Sequence, residues 1–260
     1  MLYKIYSKVL ANRLKKLLPS IITEYQSLTK DRLISNNILV AFETLHCLQN
    51  CKSGTHGFMA LKLDKSKAYD GIDWNFLDKI MRKIGFNEQW INLIMRCVKI
   101  VSYLVLVNGE PCSMIHPTRG IRQGDPLSPF LFLLCTKGLN GLIKEAENNG
   151  DIHGFSLCWR GPKLTHLLFM DDSLLFCKAT MEECGKVLEI LNMYEVTLGQ
   201  KVNRSKTGLF FSKFTSAEIR HGIKEALGVP EIMQYERYLG LPSFVGKGKK
   251  ASFSYIKERV

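Results

Sequence analysis

Three aspartates carry the strongest chemical signal in this 260-residue chain. Asp171 and Asp172 interrupt the apolar run Leu167-Leu168-Phe169-Met170-Asp171-Asp172-Ser173-Leu174-Leu175-Phe176. Such a run reads as a pair of short buried strands. Unpaired buried carboxylates oppose that burial by several kcal/mol or more. A divalent metal satisfies them, because hard cations take carboxylate oxygens. Asp-Asp is equally a turn dipeptide, which a surface hairpin tip accommodates without metal. Asp64 closes a second apolar pattern, Phe58 to Leu63. If the two strand regions neighbour each other in one sheet, Asp64 and Asp171 converge at its edge. Two carboxylates can hold two Mg²⁺ ions about 3.5–4 Å apart, the arrangement used for in-line phosphoryl displacement. Positioning and electrostatics dominate such chemistry.

These residues need elements to place them. Ile5, Val9, Leu10, Leu14 and Leu17 recur at helical spacing, and Pro19 is the expected stop. A second helix is predicted over about 35–49, then a buried strand from Phe58 that ends in Asp64. Asp73 is placed to cap a helix starting at Trp74, with Ile72 and Leu77 as a hydrophobic staple. Helices continue to about Val98. Tyr103 to Val107 and Cys112 to Ile115 flank Asn108-Gly109, the dipeptide that favours a type I′ hairpin turn. Asp125-Pro126 reads as an N-cap with proline at the first helical position, opening a helix to about Ala146. The Asp-Asp hairpin follows over 164–177. Thr180-x-x-Glu183 and Thr215-x-x-Glu218 read as capping boxes of two further helices ending near Gly199 and Gly228. No βαβ rhythm repeats, which predicts an α+β fold with an antiparallel sheet backed by helices on one face.

Hydrophobic residues make up 46% and charged residues 23% of the chain, within the globular range. The net charge of +12 is uneven: residues 1–32 hold +5, residues 199–260 hold +7, and the middle sums to zero. Basic ends around a neutral centre suit a polyanionic partner, though ordinary solubility charge gives the same count. The eight cysteines form no C-x-x-C pair, so zinc is unsupported. Most sit in apolar surroundings and read as buried thiols, which with no secretory signal predicts an intracellular, reducing site in nucleus or cytoplasm. No apolar run is long enough to span a membrane. Residues 2–18 are basic and free of acids, a pattern shared by organelle presequences and structural helices.

Between the acidic blocks lies Arg119-Gly120-Ile121-Arg122-Gln123-Gly124-Asp125-Pro126-Leu127-Ser128-Pro129. Together with Leu63-Asp64-Lys65-Ser66-Lys67-Ala68-Tyr69-Asp70 before it and Phe169-Met170-Asp171-Asp172 after it, this run resembles the reverse transcriptase domain of LINE-type (non-LTR) retrotransposons, most closely those of plants. Gly199 to Thr207 resembles the block after the metal box, and Tyr238-Leu239-Gly240-Leu241-Pro242 the primer grip. Ser7 to Leu14 also matches, so the N-terminus is read as a fingers helix. The likeness runs over essentially the whole chain and implies a piece of a retrotransposon polyprotein truncated at both ends.

The resemblance implies a right-hand polymerase: incomplete fingers over 1–56, palm over 57–242 with a fingers hairpin near 101–118, and the beginning of a thumb over 243–260. It implies an RNA template, a DNA primer and deoxynucleotides as partners, with Mg²⁺, or Mn²⁺ in its place, held by Asp64, Asp171 and the weaker third carboxylate Asp172. It leaves the oligomeric state open. The Lys65 carbonyl would complete one metal shell. Tyr69 would gate against a 2′-OH, or else be a core aromatic. Arg122, Gln123 and Gly124 would touch the nucleotide, or merely join hairpin to helix. Lys206 is a candidate acid for pyrophosphate, or a solvated lysine. Tyr238, Leu239 and Gly240 would hold the primer, and Asp70, Asp73 and Asp125 are read as caps. The chain departs from the family at Met170, at Gly71 and over Gln26 to Arg32, where the usual Pro-Gly turn is missing. A catalytically inert nucleic-acid-binding remnant is the reading from another class. Viral RNA polymerases and intron maturases share the palm logic but fit the central run less well.

Overall fold

The computed structural model describes residues 2–22, 34–50, 57–158, 161–169, 172–232, 237–238 and 241–242. In chain order the elements are α1 (Leu2–Ile21), α2 (Ile34–Asn50), β1 (Phe58–Ser66), α3 (Trp74–Ile84), α4 (Glu88–Lys99), β2 (Tyr103–Val107), β3 (Glu110–Ile115), α5 (Ser128–Asn148), β4 (Phe155–Ser156), β5 (Lys163–Leu164), β6 (His166–Phe169), β7 (Asp172–Lys178), α6 (Met181–Leu198), β8 (Lys201–Val202), β9 (Gly208–Phe211), α7 (Ala217–Leu227), β10 (Arg237–Tyr238) and β11 (Leu241–Pro242). Mixed helix and antiparallel strand is the α+β class expected.

Two compact units divide the chain. One comprises Met1–Thr23, Ser66–Asn140 and Asn192–Lys201; the other comprises Glu24–Lys65, Gly141–Leu191 and Val202–Val260. The second holds the main sheet, ordered β6-β7-β1-β8 with β9 also on β1. Leu61 and Leu63 of β1 and Leu174, Leu175 and Phe176 of β7 are buried, so these strands read as continuous apolar runs. Ala41, Leu45 and Leu48 of α2 pack into the same core as Ala60, Leu167, Leu174, Phe176 and Phe210. In the first unit, Asp73 caps α3 by accepting from the Phe76 N–H at 2.8 Å. Ile72 and Leu77 are both fully buried there.

Four local expectations are corrected. Pro19 does not stop α1, which runs on to Ile21, and the Ile22 N–H still reaches the Leu18 carbonyl at 2.8 Å. Near a C-terminus a proline removes one bond, and burial of Leu18 and Ile22 offsets it. β1 does not end at Asp64 but continues to Ser66. The helix after the glycine-rich run begins at Ser128, two residues later than the Asp125 cap predicts. Asp125 still accepts from the Leu127 N–H and shares its carboxylate with donors described below. Ser216, not Thr215, caps α7, accepting from the Ile219 N–H at 3.3 Å. Gln26 to Arg32 and the predicted thumb over 243–260 lie outside the described residues.

Candidate active site

In the second unit the acidic strand ends meet by register. β1 and β7 are antiparallel, with Leu63 opposite Ser173 and Asp64 opposite Asp172. β6 and β7 are also antiparallel, and Phe169 opposite Asp172 closes their ladder. Position 172 therefore lies between 169 and 64 across three adjacent strands. Met170 and Asp171, the two residues joining β6 to β7, lie outside the described residues, as does the side chain of Asp172.

Asp64 is held by its backbone. Its N–H donates to the Thr207 hydroxyl at 3.3 Å, and its carbonyl accepts from the Asn203 N–H at 2.9 Å. The turn 203–207 is itself closed by the Lys206 and Thr207 N–H groups on the Asn203 carbonyl, and Thr207 is buried. The half-buried Asp64 carboxylate has no hydrogen-bond or ion-pair partner among the described residues. A pinned backbone, an uncompensated carboxylate and a second aspartate at the facing register position suit a hard cation. No three His, Cys, Asp or Glu side chains form a metal cluster among the described residues. Lys65 is buried and Lys206 is exposed in its turn. Sequence reasoning gave no role to Asn203 or Thr207, because their contact with Asp64 spans some 140 positions.

In the first unit the glycine-rich run folds back on the segment after β1. Gly120 N–H donates to the Ile72 carbonyl at 2.7 Å, Ile121 N–H to the Tyr69 carbonyl at 2.9 Å, and the Trp74 indole N–H to the Gly120 carbonyl at 2.7 Å. Position 120 requires glycine twice over: its φ is +90°, and a Cβ would sit 2.9 Å from the Asp70 carbonyl oxygen. Tyr69 stacks on fully buried Phe132, with ring centroids 5.3 Å apart and planes at 23°, yet stays half-exposed. It is thus partly a core aromatic, with part of its surface open.

Gln200 makes a long-range contact that sequence reasoning missed. It is buried, its amide donates to the Ala68 carbonyl at 2.5 Å, and its oxygen accepts from the Tyr194 hydroxyl. Burial pushes the Tyr194 phenol above its ordinary pKa, so it remains a donor. Arg122 is half-buried, and Gln123 and Gly124 are exposed. Asp73 caps as expected, whereas Asp70 is exposed in the turn after β1. Of the residues whose sequence resembles a primer grip, Tyr238 pairs with Leu241 between β10 and β11, and Leu239 and Gly240 lie outside the described residues.

This architecture is similar to solved telomerase structures. The telomerase of Candida tropicalis, in complex with a fragment of telomeric RNA, matches at a TM-score of 0.59 and 17% identity, over 98% of this chain and 40% of that one. The fold is the right-hand polymerase fold. An uncharacterized mitochondrial protein of Arabidopsis thaliana is 47% identical over 70 residues, which are 27% of this chain and 57% of that protein. The transposon TX1 149 kDa protein of Xenopus laevis is 32% identical over 206 residues, 79% of this chain and 15% of that protein. A Pol polyprotein from the type-1 retrotransposable element R2 of Popillia japonica is 30% identical over 128 residues, 49% of this chain and 20% of that polyprotein. The chain thus spans less than two thirds of each of these relatives. The model of the family described as reverse transcriptase (RNA-dependent DNA polymerase) matches residues 1–254, and the chain belongs to that family.

Proposed function

We propose that this chain is the RNA-directed DNA polymerase domain of a non-LTR retrotransposon, adding deoxynucleotides to a DNA primer on an RNA template. The observation that carries this reading is the register of Asp64 opposite Asp172, with the Asp64 backbone pinned and its carboxylate uncompensated. Asp64 and Asp171 would hold two divalent ions, Mg²⁺ or Mn²⁺, with Asp172 as third carboxylate and the Lys65 carbonyl as a further ligand. Bound there, the ions would lower the pKa of the attacking hydroxyl and neutralise the leaving pyrophosphate. The primer 3′-oxygen bonds to the α-phosphorus while the bond to pyrophosphate breaks. Lys206, exposed in its turn, donates a proton to that leaving group. The open part of the Tyr69 ring excludes a 2′-OH, and Arg122, Gln123 and Gly124 contact the triphosphate and templating pair. Tyr238, Leu239 and Gly240 hold the primer end.

We assign 1–56 to fingers, 57–242 to palm and 243–260 to the start of a thumb. None of the described cysteines is in a disulfide. That supports a reducing compartment, nucleus or cytoplasm. Among the described residues no helix is long and apolar enough to cross a membrane.

Primer extension on an RNA template with Mg²⁺ tests the assignment. Asp64→Asn is expected to lower incorporation by about three orders of magnitude, the scale set by several kcal/mol of metal-borne charge stabilisation. Ribonucleotides should not replace deoxynucleotides. The second reading is an inert nucleic-acid-binding remnant, which the net charge of +12 suits equally well. Salt-sensitive duplex binding without incorporation in the wild-type protein would establish it.

A further inference from the structure

The exposed Gln123-Gly124 segment gains nothing from burial to fix its pose, so its hold must come from its flanks. The residue after it supplies one. Asp125 is 6% exposed and takes three donors. The Leu127 N–H reaches Oδ1 at 2.8 Å, the Ser7 hydroxyl donates to the same oxygen, and the Tyr3 hydroxyl lies 2.5 Å from Oδ2. Two of the three donors come from α1. The Tyr3 hydroxyl also lies 3.3 Å from the Cys97 carbonyl. It has one proton, and the shorter, charge-assisted bond to the carboxylate takes it. Burial and the neighbouring Asp125 raise the Tyr3 phenol above its ordinary pKa.

The same ring has a second task. The Arg122 guanidinium lies over its face, 4.8 Å from the centroid. Tyr3 therefore grips both neighbours of Gln123-Gly124: Arg122 through the ring face and Asp125 through the hydroxyl. Upstream, the run is pinned by Gly120 and Ile121 on the carbonyls of Ile72 and Tyr69. Between these anchors only the two exposed residues remain to present themselves.

We propose that Tyr3 is a positioning residue for the incoming deoxynucleotide: by clamping Arg122 and Asp125 it sets the pose of Gln123-Gly124 without touching the nucleotide. This rests on the polymerase reading above. A merely structural tyrosine would lower the active fraction, hence kcat, and leave KM alone. The clamp moves KM.

Tyr3→Phe keeps the ring over Arg122 and removes the bond to Asp125; Tyr3→Leu removes both. In steady-state primer extension, Tyr3→Phe is expected to raise KM for dNTP roughly 5-fold, the equilibrium weight of one hydrogen bond. Tyr3→Leu should raise it further, with kcat little changed and duplex affinity as in wild type. Amide hydrogen exchange across 121–127 should quicken in the same order while β1 and β7 stay protected. An unchanged KM in Tyr3→Phe, beside an active wild type, overturns the clamp. So does unchanged exchange across 121–127, a readout that needs no catalysis. If Tyr3→Leu fails to fold, Tyr3→Phe, which keeps the ring, decides alone. A folded wild type that incorporates nothing overturns the polymerase reading and with it the role in nucleotide affinity, while exchange still judges the clamp itself.

Discussion

The hairpin β2–β3 exposes every residue of both strands, including Leu104, Leu106 and Met114. In the hairpin β6–β7, by contrast, His166, Leu167, Leu168 and Ser173 to Cys177 are all buried. Both turn across two residues: Val107 pairs with Glu110, and Phe169 with Asp172. Asn108 and Gly109 both have positive φ, +54° and +86°, the type I′ geometry that matches strand twist. The difference lies in what flanks the strands. β7 has β1 on its other edge, and α2 contributes to the core beneath it, whereas β2 and β3 form a sheet of two. Turn chemistry decides that a hairpin forms; the neighbours of its strands decide whether it is buried. The acidic end of β7 inherits a rigid support that β2–β3 lacks.

Side-chain truncation tests that contrast with the largest expected effect. Phe176→Ala in β7 removes a fully buried ring and should cost about 3–5 kcal/mol by urea unfolding. Leu106→Ala in β2, 62% exposed, should stay within about 0.5 kcal/mol. Equal costs would mean that β2–β3 is covered in solution, and the contrast between the hairpins would fall.

Acid should also act on β6–β7. Burial, and then the charge of Lys144, lower the His166 pKa to about 4. The unfolded histidine titrates near 6.5. As pH falls below about 6.5 the unfolded chain takes the proton first, so stability is full above that value and is lost on the way down to about pH 4. The total is on the order of 3 kcal/mol. His166→Gln should flatten that slope in denaturant titrations; an unchanged slope would assign the acid sensitivity elsewhere.

Local chemistry was legible in the sequence where it acts within a few residues. The Asn108-Gly109 turn, the Asp73 cap, and the helix ends before Gly199 and Gly228 all stand as read, and Ile72 and Leu77 are both buried. The acidic blocks were legible because carboxylates at the ends of apolar strand patterns stand out by residue type and position. Misreadings arose where a further partner joined or replaced the expected one. Asp125 has the sequence of an N-cap and does accept from the Leu127 N–H, but Tyr3 and Ser7 share its carboxylate, and α5 starts later. Thr215 reads as a cap, yet its hydroxyl pairs with that of Ser212 at 3.3 Å and Ser216 caps instead. The clasp of Asn203 and Thr207 on Asp64, and of Gln200 on Ala68, leaves no periodicity, since each is one polar side chain or amide meeting a backbone group far along the chain.

A single hydroxyl gives the finest probe of the same contrast. Ser173 follows the aspartate pair, is fully buried opposite Leu63 and Leu168, and its Oγ has no hydrogen-bond partner among the described residues. A buried orphan hydroxyl carries a desolvation penalty with no bond to offset it. Ser173→Ala should therefore raise the urea midpoint, by about 1 kcal/mol in stability, the low end of the cost of an unsatisfied buried group. Ser113, on exposed β3, meets water, so Ser113→Ala should change stability by less than about 0.5 kcal/mol. If Ser173→Ala instead destabilises, its hydroxyl has a partner in solution, and β7 is less dry beside its aspartates than the buried pattern implies. If it stabilises while primer extension is unchanged, the hydroxyl serves neither fold nor chemistry, and the rigidity of the acidic strand end comes from apolar packing and the β1 ladder alone.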